Sequence, residues 1–320
     1  DSRSRPVPEC LGCGASGRRH ISNLLQLKNI GSISVYTKNK ECLKGLKSDG
    51  KINIINALDN IEADFAIIAN ETYRHIDTAL SLAAKGMDLF IEKPLSYNQD
   101  KADELKEIAK KKKIKIFVGY NLRYLGAMKY VKDRLSEKII GDLYFAKIEV
   151  GQFLPLWRPD RDYRDSYSAS KAKGGGVALD LSHEIDYMRY LFGDPCNWKV
   201  LKARVSKLEI DSDDVFEGIY RYDNNFICNV HMDYLQKDKK REIRIVGSEG
   251  MLHCDLIDKS IRIIRGDKET VISDKDMFDI DRTYTDELKH FIRVVEKDTI
   301  PDITLDDGIN VLKLLEDGQR

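Results

Sequence analysis

The chain has 320 residues, 42% hydrophobic and 33% charged, and its 53 basic side chains balance 53 acidic ones to a net charge of zero. This composition is typical of a folded globular protein, and the length allows two domains. A neutral chain has no overall attraction for nucleic acid, and the apolar runs fall far short of the about 20 residues that a membrane helix needs. Because the start has no apolar signal-peptide core, we expect a cytoplasmic protein with neither nucleic acid nor membrane as partner.

The cysteines show no framework spacing, and in a chain of this length we expect reduced thiols. Cys10 and Cys13 form a Cys-x-x-Cys pair with His20 nearby, but no second pair completes a zinc site. We therefore predict no metal site. The remaining cysteines are Cys42, Cys196, Cys228 and Cys254.

Residues 1–120 alternate strand-length apolar runs with helical patterns. This alternation predicts a parallel sheet with helices on both faces, an N-terminal Rossmann-type dinucleotide-binding domain. The predicted strands are Ile33–Tyr36, Ile52–Ile55, Asp64–Ala69, Asp88–Ile91 and Ile114–Val118, and the predicted helices include Tyr73–Lys85 and Gln99–Lys112.

A glycine-rich segment near the start matches G-x-G-x-x-G, which predicts a tight turn that brings backbone N–H groups to a pyrophosphate. Its candidate cofactor residues are Gly12, Gly14, Ala15, Ser16 and Gly17. The preceding segment Arg5–Leu11 holds two prolines and a glutamate, which do not suit the centre of a parallel sheet. Either the first strand is short and poorly paired or the terminus is altered, and the glycines alone would also fit a flexible loop.

The end of the second predicted strand bears on the choice of cofactor. The residues after Tyr36 include Thr37 and Lys38, and no carboxylate occurs before Glu41. An NAD site usually has an acidic residue there, whereas a 2′-phosphate needs cations. The pattern slightly favours NADP over NAD, with Lys38 as the phosphate partner; lysines in a solvated loop are the alternative.

Glu92, Lys93 and Pro94 directly follow the apolar run Met87–Ile91. This position is the carboxyl edge of the sheet, where such folds bind ligands. An ammonium group there can lower the pKa of a substrate hydroxyl. The alternative is an ordinary surface lysine in a strand–helix loop.

In residues 121–320 the sequence pattern changes. Strand-like runs that alternate polar and apolar residues are separated by tight turns. The pattern predicts an α+β domain for substrate binding and oligomerisation, with a mostly antiparallel open sheet. One helix is predicted at about Gly176–Phe192, and the last two, Thr285–Glu296 and Asp306–Leu315, are expected to pack back on the first domain. The predicted strands are Asp142–Phe153, Trp198–Leu208, Val215–Tyr222, Phe226–Tyr234, Glu242–Val246 and Met251–Ile257.

Asp180 and His183 follow the glycines Gly174–Gly176 and, in one continuous helix, would share a face. A carboxylate and an imidazole that reach one cleft can orient a substrate and accept its hydroxyl proton. Asp186 continues this face and is expected to hold the histidine. The alternative is an incidental pair on a structural helix.

The segment Leu156–Tyr167 is rich in aromatic and arginine side chains. Trp157 can stack on a sugar face, and Arg161 or Arg164 can pair with a phosphate or carboxylate. We include Tyr167 among the candidate substrate residues. A structural arm against a neighbouring subunit is the alternative.

In this order the motifs resemble those of the Gfo/Idh/MocA family of oxidoreductases, typified by glucose–fructose oxidoreductase and inositol dehydrogenase. The resemblance implies that Lys93 contacts nicotinamide ribose and substrate, that His183 is the acid/base and that Asp180 orients the substrate. It also implies a homodimer or homotetramer formed through the second domain. The matching segments are Gly12–Gly17, Ala66–Thr72 with His75, Glu92–Pro94, Tyr120–Tyr124 and Gly174–Asp186, and they add Asn70, His75, Glu92 and Asn121 to the cofactor residues and Arg123 to the substrate residues.

The expected function is hydride transfer between NAD(P) and a hydroxyl-bearing carbon of a sugar or sugar-nucleotide-like substrate. The resemblance extends to relatives in surface polysaccharide or glycan biosynthesis. Two alternatives stay open: an epimerase or lyase that uses NAD transiently, and a catalytically silent regulator that binds a dinucleotide or sugar.

Overall fold

The computed structural model describes residues 8–57 and 63–318. Contacts divide the chain into two compact units. The first comprises Asp1–Tyr120 with Tyr284–Ile309, and the second comprises Asn121–Thr283 with Asn310–Arg320.

A six-stranded sheet forms the first unit, and all of its strands are parallel. The strand order β3-β2-β1-β4-β5-β6 reverses direction between β1 and β4, the kind of position where open α/β sheets bind ligands. The predicted Rossmann-type sheet is therefore confirmed. The strands are β1 Pro8–Leu11, β2 Ile33–Tyr36, β3 Ile52–Ile55, β4 Phe65–Ile68, β5 Asp88–Glu92 and β6 Ile116–Gly119, and the helices between them are α1 Ala15–Gln26, α2 His75–Ala84 and α3 Ala102–Lys112.

The first strand is short but paired on both sides, so the alternative of a poorly paired first strand is wrong. Glu9 lies opposite Ser34 of β2 and Ala66 of β4, and all residues of β1 are buried. Pro8 is tolerated because it is the first residue of the strand, where a missing N–H is least costly. The other proline of the unusual leader, Pro6, lies outside the described residues.

An eight-stranded sheet forms the core of the second unit. Only β7 and β10 are parallel neighbours, so the predicted mostly antiparallel sheet is confirmed. Its order is β14-β13-β12-β11-β7-β10-β9-β8. The strands are β7 Leu143–Gly151, β8 Asn197–Ala203, β9 Val215–Arg221, β10 Ile227–Asp233, β11 Lys240–Gly247, β12 Gly250–Asp255, β13 Ser260–Arg265 and β14 Lys268–Ile272, and the helices of this part of the chain are α4 Gly126–Ser136, α5 Val177–Asp180 and α6 His183–Phe192.

The prediction of one continuous helix over Gly176–Phe192 is wrong, because α5 and α6 are separate helices. Leu181 between them has φ −102° and ψ 26°, outside helical values. Its carbonyl accepts a hydrogen bond from the Glu184 amide at 3.2 Å, which makes a tight turn. Asp180 therefore ends one helix and His183 begins the next.

The closing helices are α7 Ile280–Lys297 and α8 Leu305–Leu314. Within the first unit, the Phe291 ring of α7 packs edge-on against Phe65 and Phe90, with ring centroids 5.3 and 5.6 Å apart. Among the described residues, no helix combines the length and the apolar character needed to cross a membrane.

The expectation that all cysteines are reduced is wrong for two of them. Cys13 and Cys42 form a disulfide with 5.9 Å between their Cα atoms. Because β1 and β2 are adjacent in the sheet, the loops at their carboxyl ends come together although the two cysteines are 29 positions apart in the sequence. Cys10 of the Cys-x-x-Cys pair is a buried free thiol inside β1.

Candidate functional site

The three motif glycines each meet a separate spatial demand. A Cβ on Gly12, at φ +93°, would lie 2.5 Å from the Ala69 carbonyl oxygen, and a Cβ on Gly17 would lie 2.2 Å from the Gly12 carbonyl oxygen. A Cβ on Gly14 would meet nothing within 4 Å. The outer two glycines thus allow a tight turn and close helix packing, whereas the middle one leaves its backbone open to a ligand, as a pyrophosphate requires.

Helix α1 begins at this turn with its N-terminus free for an anion. Gly14 is the N-cap, and among the described residues no side chain caps the helix and no acidic residue lies in its first turn. The first N–H groups of a helix have no partner within the helix and carry a partial positive charge. Ala15 and Ser16 lie in this first turn, so the local geometry fits a dinucleotide phosphate.

The segment after β2 is held by its own polar contacts. The Thr37 hydroxyl accepts a hydrogen bond from the Asn39 amide at 3.1 Å, and the Asn39 side chain caps the short 3₁₀ helix Lys40–Leu43. Lys38 is exposed. Glu41, the first carboxylate after the strand, pairs with Lys44.

Two loops at the carboxyl edge of the first sheet are linked by His75. Its Nδ1 lies 2.8 Å from the Pro94 carbonyl oxygen and its Nε2 lies 3.1 Å from the Asn70 carbonyl oxygen. Burial lowers the pKa of this imidazole, whereas its contacts with the Pro94 and Asn70 carbonyls act in the opposite direction. The Lys93–Pro94 peptide bond is cis and Lys93 is half-buried. His75 therefore braces the loop that presents Lys93.

Behind Lys93, the Glu92 carboxylate is buried against His20, with 2.5 Å between Oε1 and the His20 Nε2. Burial raises the pKa of Glu92, but the His20 hydrogen bond and the Lys93 charge bring it below its usual value. Glu287 is also buried, and burial together with the Glu92 charge holds its pKa well above its usual range. Ligand atoms of the three side chains lie within 4.8 Å of one another. The opposite pKa shifts of Glu92 and Glu287 follow from their shared burial, because the charge of Glu92 disfavours a second charge on Glu287.

In the second unit, hydroxyl groups converge on Asp180. The Tyr234 hydroxyl donates to the Asp180 carboxylate at 2.6 Å. The negative charge of Asp180, together with burial, raises the pKa of the Tyr167 hydroxyl. The Trp157 ring packs edge-on against Tyr234 with 5.2 Å between ring centroids. The structure thus brings together the predicted residues Asp180, Tyr167 and Trp157.

The three glycines before Asp180 make this cluster sterically feasible. A Cβ on Gly175 would lie 2.1 Å from the Tyr167 carbonyl oxygen, so the chain before α5 runs directly beneath the Tyr167 segment. Gly176, at φ +125°, faces the Asp213 carboxylate, which accepts a hydrogen bond from the Ala178 amide at 3.0 Å. The Asp213 contact fixes the start of α5 and hence the position of Asp180.

Helix α6 carries His183 and is anchored by two buried ion pairs. The Arg241 side chain donates to Glu184 at 2.8 Å. Arg123 donates to both oxygens of Asp186, with its shortest contact at 2.7 Å. Arg123, predicted to bind substrate, is therefore held by a carboxylate. The contact predicted between Asp186 and His183 stays a prediction.

The remaining predicted residues lie at varied positions. Asn121 is buried and donates to the Thr283 hydroxyl at 2.6 Å. Arg161 and Arg164 are exposed. Arg164 makes a two-point ion pair with Asp162, which lowers the pKa of that carboxyl to about 2. A substrate anion would have to compete with Asp162 for Arg164.

Sequence reasoning missed Tyr234 and the role of His20. Tyr234 directly follows β10 and differs in no local pattern from the other tyrosines of the sheet. His20 lies on the buried face of α1, where it is indistinguishable in sequence from a core residue.

Comparison with known proteins assigns both parts of the chain. Residues 10–120 match the model described as oxidoreductase family, NAD-binding Rossmann fold, and residues 128–253 match the GFO/IDH/MocA C-terminal domain. The rhizopine catabolism protein MocA of Rhizobium meliloti is 26% identical over 201 residues, which cover 61% of this chain and 60% of MocA. The chain thus spans about three fifths of that relative's length.

Two further similarities extend over nearly the whole chain. The myo-inositol 2-dehydrogenase of Thermotoga maritima is 23% identical over 325 residues, with coverage of 95% of this chain and 92% of the relative. The WlbA dehydrogenase of Bordetella pertussis, solved in complex with NADH and UDP-GlcNAcA, has a TM-score of 0.83 at 16% identity and covers 98% of this chain and 94% of its own. The latter similarity concerns the fold alone. Since the two family models together match most of its length, the chain belongs to the GFO/IDH/MocA family of oxidoreductases.

Proposed function

We propose that this protein transfers a hydride between NAD(P) and a hydroxyl-bearing carbon of a sugar or sugar-nucleotide-like substrate. The observation that carries the proposal is the turn at Gly12, Gly14 and Gly17. Backbone atoms pack closely against Gly12 and Gly17, whereas the space beside Gly14 is open, and no side chain caps the helix that follows. That turn follows the central strand of a parallel sheet. The open position at Gly14 fits a dinucleotide pyrophosphate, since a Cβ there would meet nothing within 4 Å.

The residues of the chain then divide the work of the reaction. A bound nicotinamide supplies the hydride acceptor or donor. His183 accepts the proton of the substrate hydroxyl during oxidation and returns it during reduction. Asp180, held by Tyr234, orients the hydroxyl, and the positive charge of Lys93 stabilises the developing alkoxide.

The substrate class is inferred from the Asp180 cluster. Tyrosine hydroxyls, a carboxylate and the Trp157 ring offer both hydrogen bonds and an apolar face, the combination that a sugar ring needs. The structural relative that binds UDP-GlcNAcA supports a sugar nucleotide as one form of the substrate. A place in surface polysaccharide or glycan biosynthesis belongs to the same proposal.

The proposal favours NADP over NAD. Lys38 is exposed at the end of β2, and the nearest following carboxylate, Glu41, is paired with Lys44. Fluorescence titration with NADPH and NADH tests this, and Lys38→Ala is expected to weaken NADPH binding selectively.

The sharpest test of cofactor binding is Gly14→Ala. Gly14 has φ −70° and open space around its missing Cβ, so alanine fits the fold but projects into the phosphate position. We expect a dissociation constant for NADPH or NADH raised by about tenfold or more, with the melting temperature unchanged. Gly17→Ala is the matched control: its Cβ clashes with the Gly12 carbonyl, so it is expected to lower the melting temperature.

Retention of wild-type affinity by Gly14→Ala would contradict the proposed site. Turnover then separates the related reactions. Net formation of NAD(P)H in proportion to oxidised sugar supports a dehydrogenase, whereas product formation without net cofactor reduction indicates an epimerase or lyase.

A further inference from the structure

The disulfide joins the two segments of the first unit that would hold the adenosine half of a dinucleotide. Cys13 lies between the glycines of the turn, and Cys42 lies in the 3₁₀ helix after β2. In parallel sheets of this order the pyrophosphate lies at the first turn and the adenosine ribose at the end of the second strand. The disulfide fixes the spacing of these two segments, with 5.9 Å between the Cα atoms of Cys13 and Cys42.

The disulfide is accessible and its surroundings suit thiol chemistry. Both cysteines are half-buried, next to exposed residues such as Gly14 and Glu41. Cys13 directly precedes the N-cap of α1, and a helix N-terminus favours the thiolate form of a cysteine. Cys13 is therefore the better leaving group when the disulfide is attacked.

A second tie limits how far the two segments separate when the disulfide is broken. The Arg18 guanidinium in the first turn of α1 donates to the Cys42 carbonyl and, at 2.9 Å, to the Lys44 carbonyl. The thiols of Cys13 and Cys42 thus stay near each other after reduction, which permits the disulfide to form again.

We propose that Cys13 and Cys42 form a thiol–disulfide exchange site that controls access to the dinucleotide-binding turn, with a dithiol protein or small dithiol as the reducing partner. The proposal rests on the proposed function, since it takes the turn to be the cofactor site. The oxidised form fixes the two segments at one spacing, and the reduced form lets them adjust to the adenosine ribose.

The dithiol supplies the electrons and protons that reduce the disulfide. A thiolate of the partner attacks Cys42 Sγ, breaks the S–S bond and releases Cys13 as a thiolate. The second thiol of the partner then attacks the mixed disulfide and frees Cys42. The partner leaves as a disulfide, and its two electrons and two protons remain on the two cysteines.

The test is a fluorescence titration of the full chain with NADPH and with NADH, before and after reduction by dithiothreitol. Thiol counting under denaturing conditions verifies the two states, because the oxidised chain has four free thiols and the reduced chain six. We expect reduction to tighten binding by about tenfold or more. Cys42→Ser is expected to bind like the reduced protein in either condition, and Cys196→Ser, which removes an exposed free thiol, is expected to respond to reduction like the wild type.

Each of the other outcomes contradicts the proposed switch, and the measurements distinguish these outcomes from one another. Equal affinity of the oxidised and reduced forms, or tighter binding by the oxidised form, removes the switch but leaves the proposed function intact. A Cys42→Ser variant that still responds to reduction assigns the effect to other cysteines. Absence of binding by the reduced, folded protein overturns the proposed function and the switch together.

Discussion

Glu9 lies in the centre of β1 with its side chain fully buried. Among the described residues, neither of its carboxylate oxygens has a hydrogen-bond partner. Burial raises the pKa of this carboxyl from 4.5 to about 7, although the Lys85 charge opposes the shift. The native state therefore binds a proton at Glu9 more tightly than the unfolded chain does.

This shift makes stability depend on pH in a defined direction. Because the native pKa lies above the unfolded value, the stabilisation from the proton is present below pH 4.5 and is lost as the pH rises to about 7. In the Glu9→Gln variant the side chain keeps nearly the same shape but cannot become negatively charged. We expect the variant to be about 2–3 kcal/mol more stable than wild type above pH 7 and nearly equal to it at pH 4.5.

Urea unfolding at the two pH values measures this difference. Glu107→Gln, at an exposed position of α3, is the control and is expected to show no such dependence. A stability gain of Glu9→Gln that is the same at both pH values would show that the carboxyl does not titrate in this range.

A second prediction at the scale of residues concerns the two groups proposed to act on the substrate, Lys93 and His183. Lys93→Met and His183→Asn are expected to lower turnover by about a hundredfold or more, since each removes a group that acts on the substrate hydroxyl. The assay is NAD(P)H absorbance with a panel of sugars and sugar nucleotides. His183→Asn is expected to keep the dinucleotide affinity of the wild type.

Lys110→Met, on the exposed side of α3, is the matched control for the loss of a lysine. Wild-type turnover by both site variants would remove them from the mechanism. A folded wild-type protein that binds the dinucleotide but turns over no member of the panel would favour the regulator among the alternatives.

At the scale of elements, the position of Asp180 depends on the start of α5. A Cβ on Gly176 would lie 2.4 Å from the Asp213 oxygen, at a φ of +125° that L-residues rarely adopt. We expect Gly176→Ala to cost about 1–3 kcal/mol of stability and, by displacing Asp213 and α5, to lower turnover as well.

Gly193→Ala at the end of α6 provides the comparison. Gly193 also has a positive φ, +82°, but its Cβ would meet nothing within 4 Å. The control is expected to lose stability and keep turnover. If both variants keep turnover in proportion to their folded fraction, the start of α5 does not position the site.

The elements that sequence could predict are those whose burial follows a simple period. The strands β4, β5 and β6 of the first sheet are nearly continuous apolar runs, and β9 alternates buried Phe216 and Tyr220 with exposed Glu217 and Ile219. β14, the edge strand, was missed because four of its five residues are exposed and it has no apolar alternation. β13 was missed although Ile261 and Ile263 alternate with exposed Arg262.

The site was predictable only in part for a related reason. Lys93, Asp180 and His183 belong to motifs with fixed spacing. The Tyr234 contact to Asp180 and the Cys13–Cys42 disulfide join residues 54 and 29 positions apart, so only the fold brings them together. The break at Leu181 lies between Asp180 and Ser182, two residue types that favour helix ends, but the apolar residues Val177, Leu181 and Ile185 continue across it at helical spacing.

At the scale of the whole molecule, the eight-stranded sheet has one buried and one open face. Ala146, Ile148 and Val150 of β7 point to the buried face. On the other face Phe145 lies directly opposite Ile227 of β10, and they are 39% and 40% exposed. The open face also carries two more exposed apolar side chains, Ile219 and Leu201. Ile219 lies opposite Asn229, and Leu201 lies opposite Glu217.

We propose that this open face is the contact between copies of the chain in a homodimer or homotetramer. Apolar side chains exposed side by side across neighbouring strands are costly to leave in water, and a second copy of the same face covers them symmetrically.

The double variant Phe145→Lys, Ile219→Lys is expected to reduce the molar mass in light scattering to that of one chain. Its melting temperature is expected to fall only as far as the lost association requires, because both positions already face water within a single chain. Ile300→Lys exchanges a more exposed apolar residue outside the sheet and is expected to leave the mass unchanged. If the double variant keeps the mass of the wild type, the copies associate through another surface, and the open face is then left to a different partner.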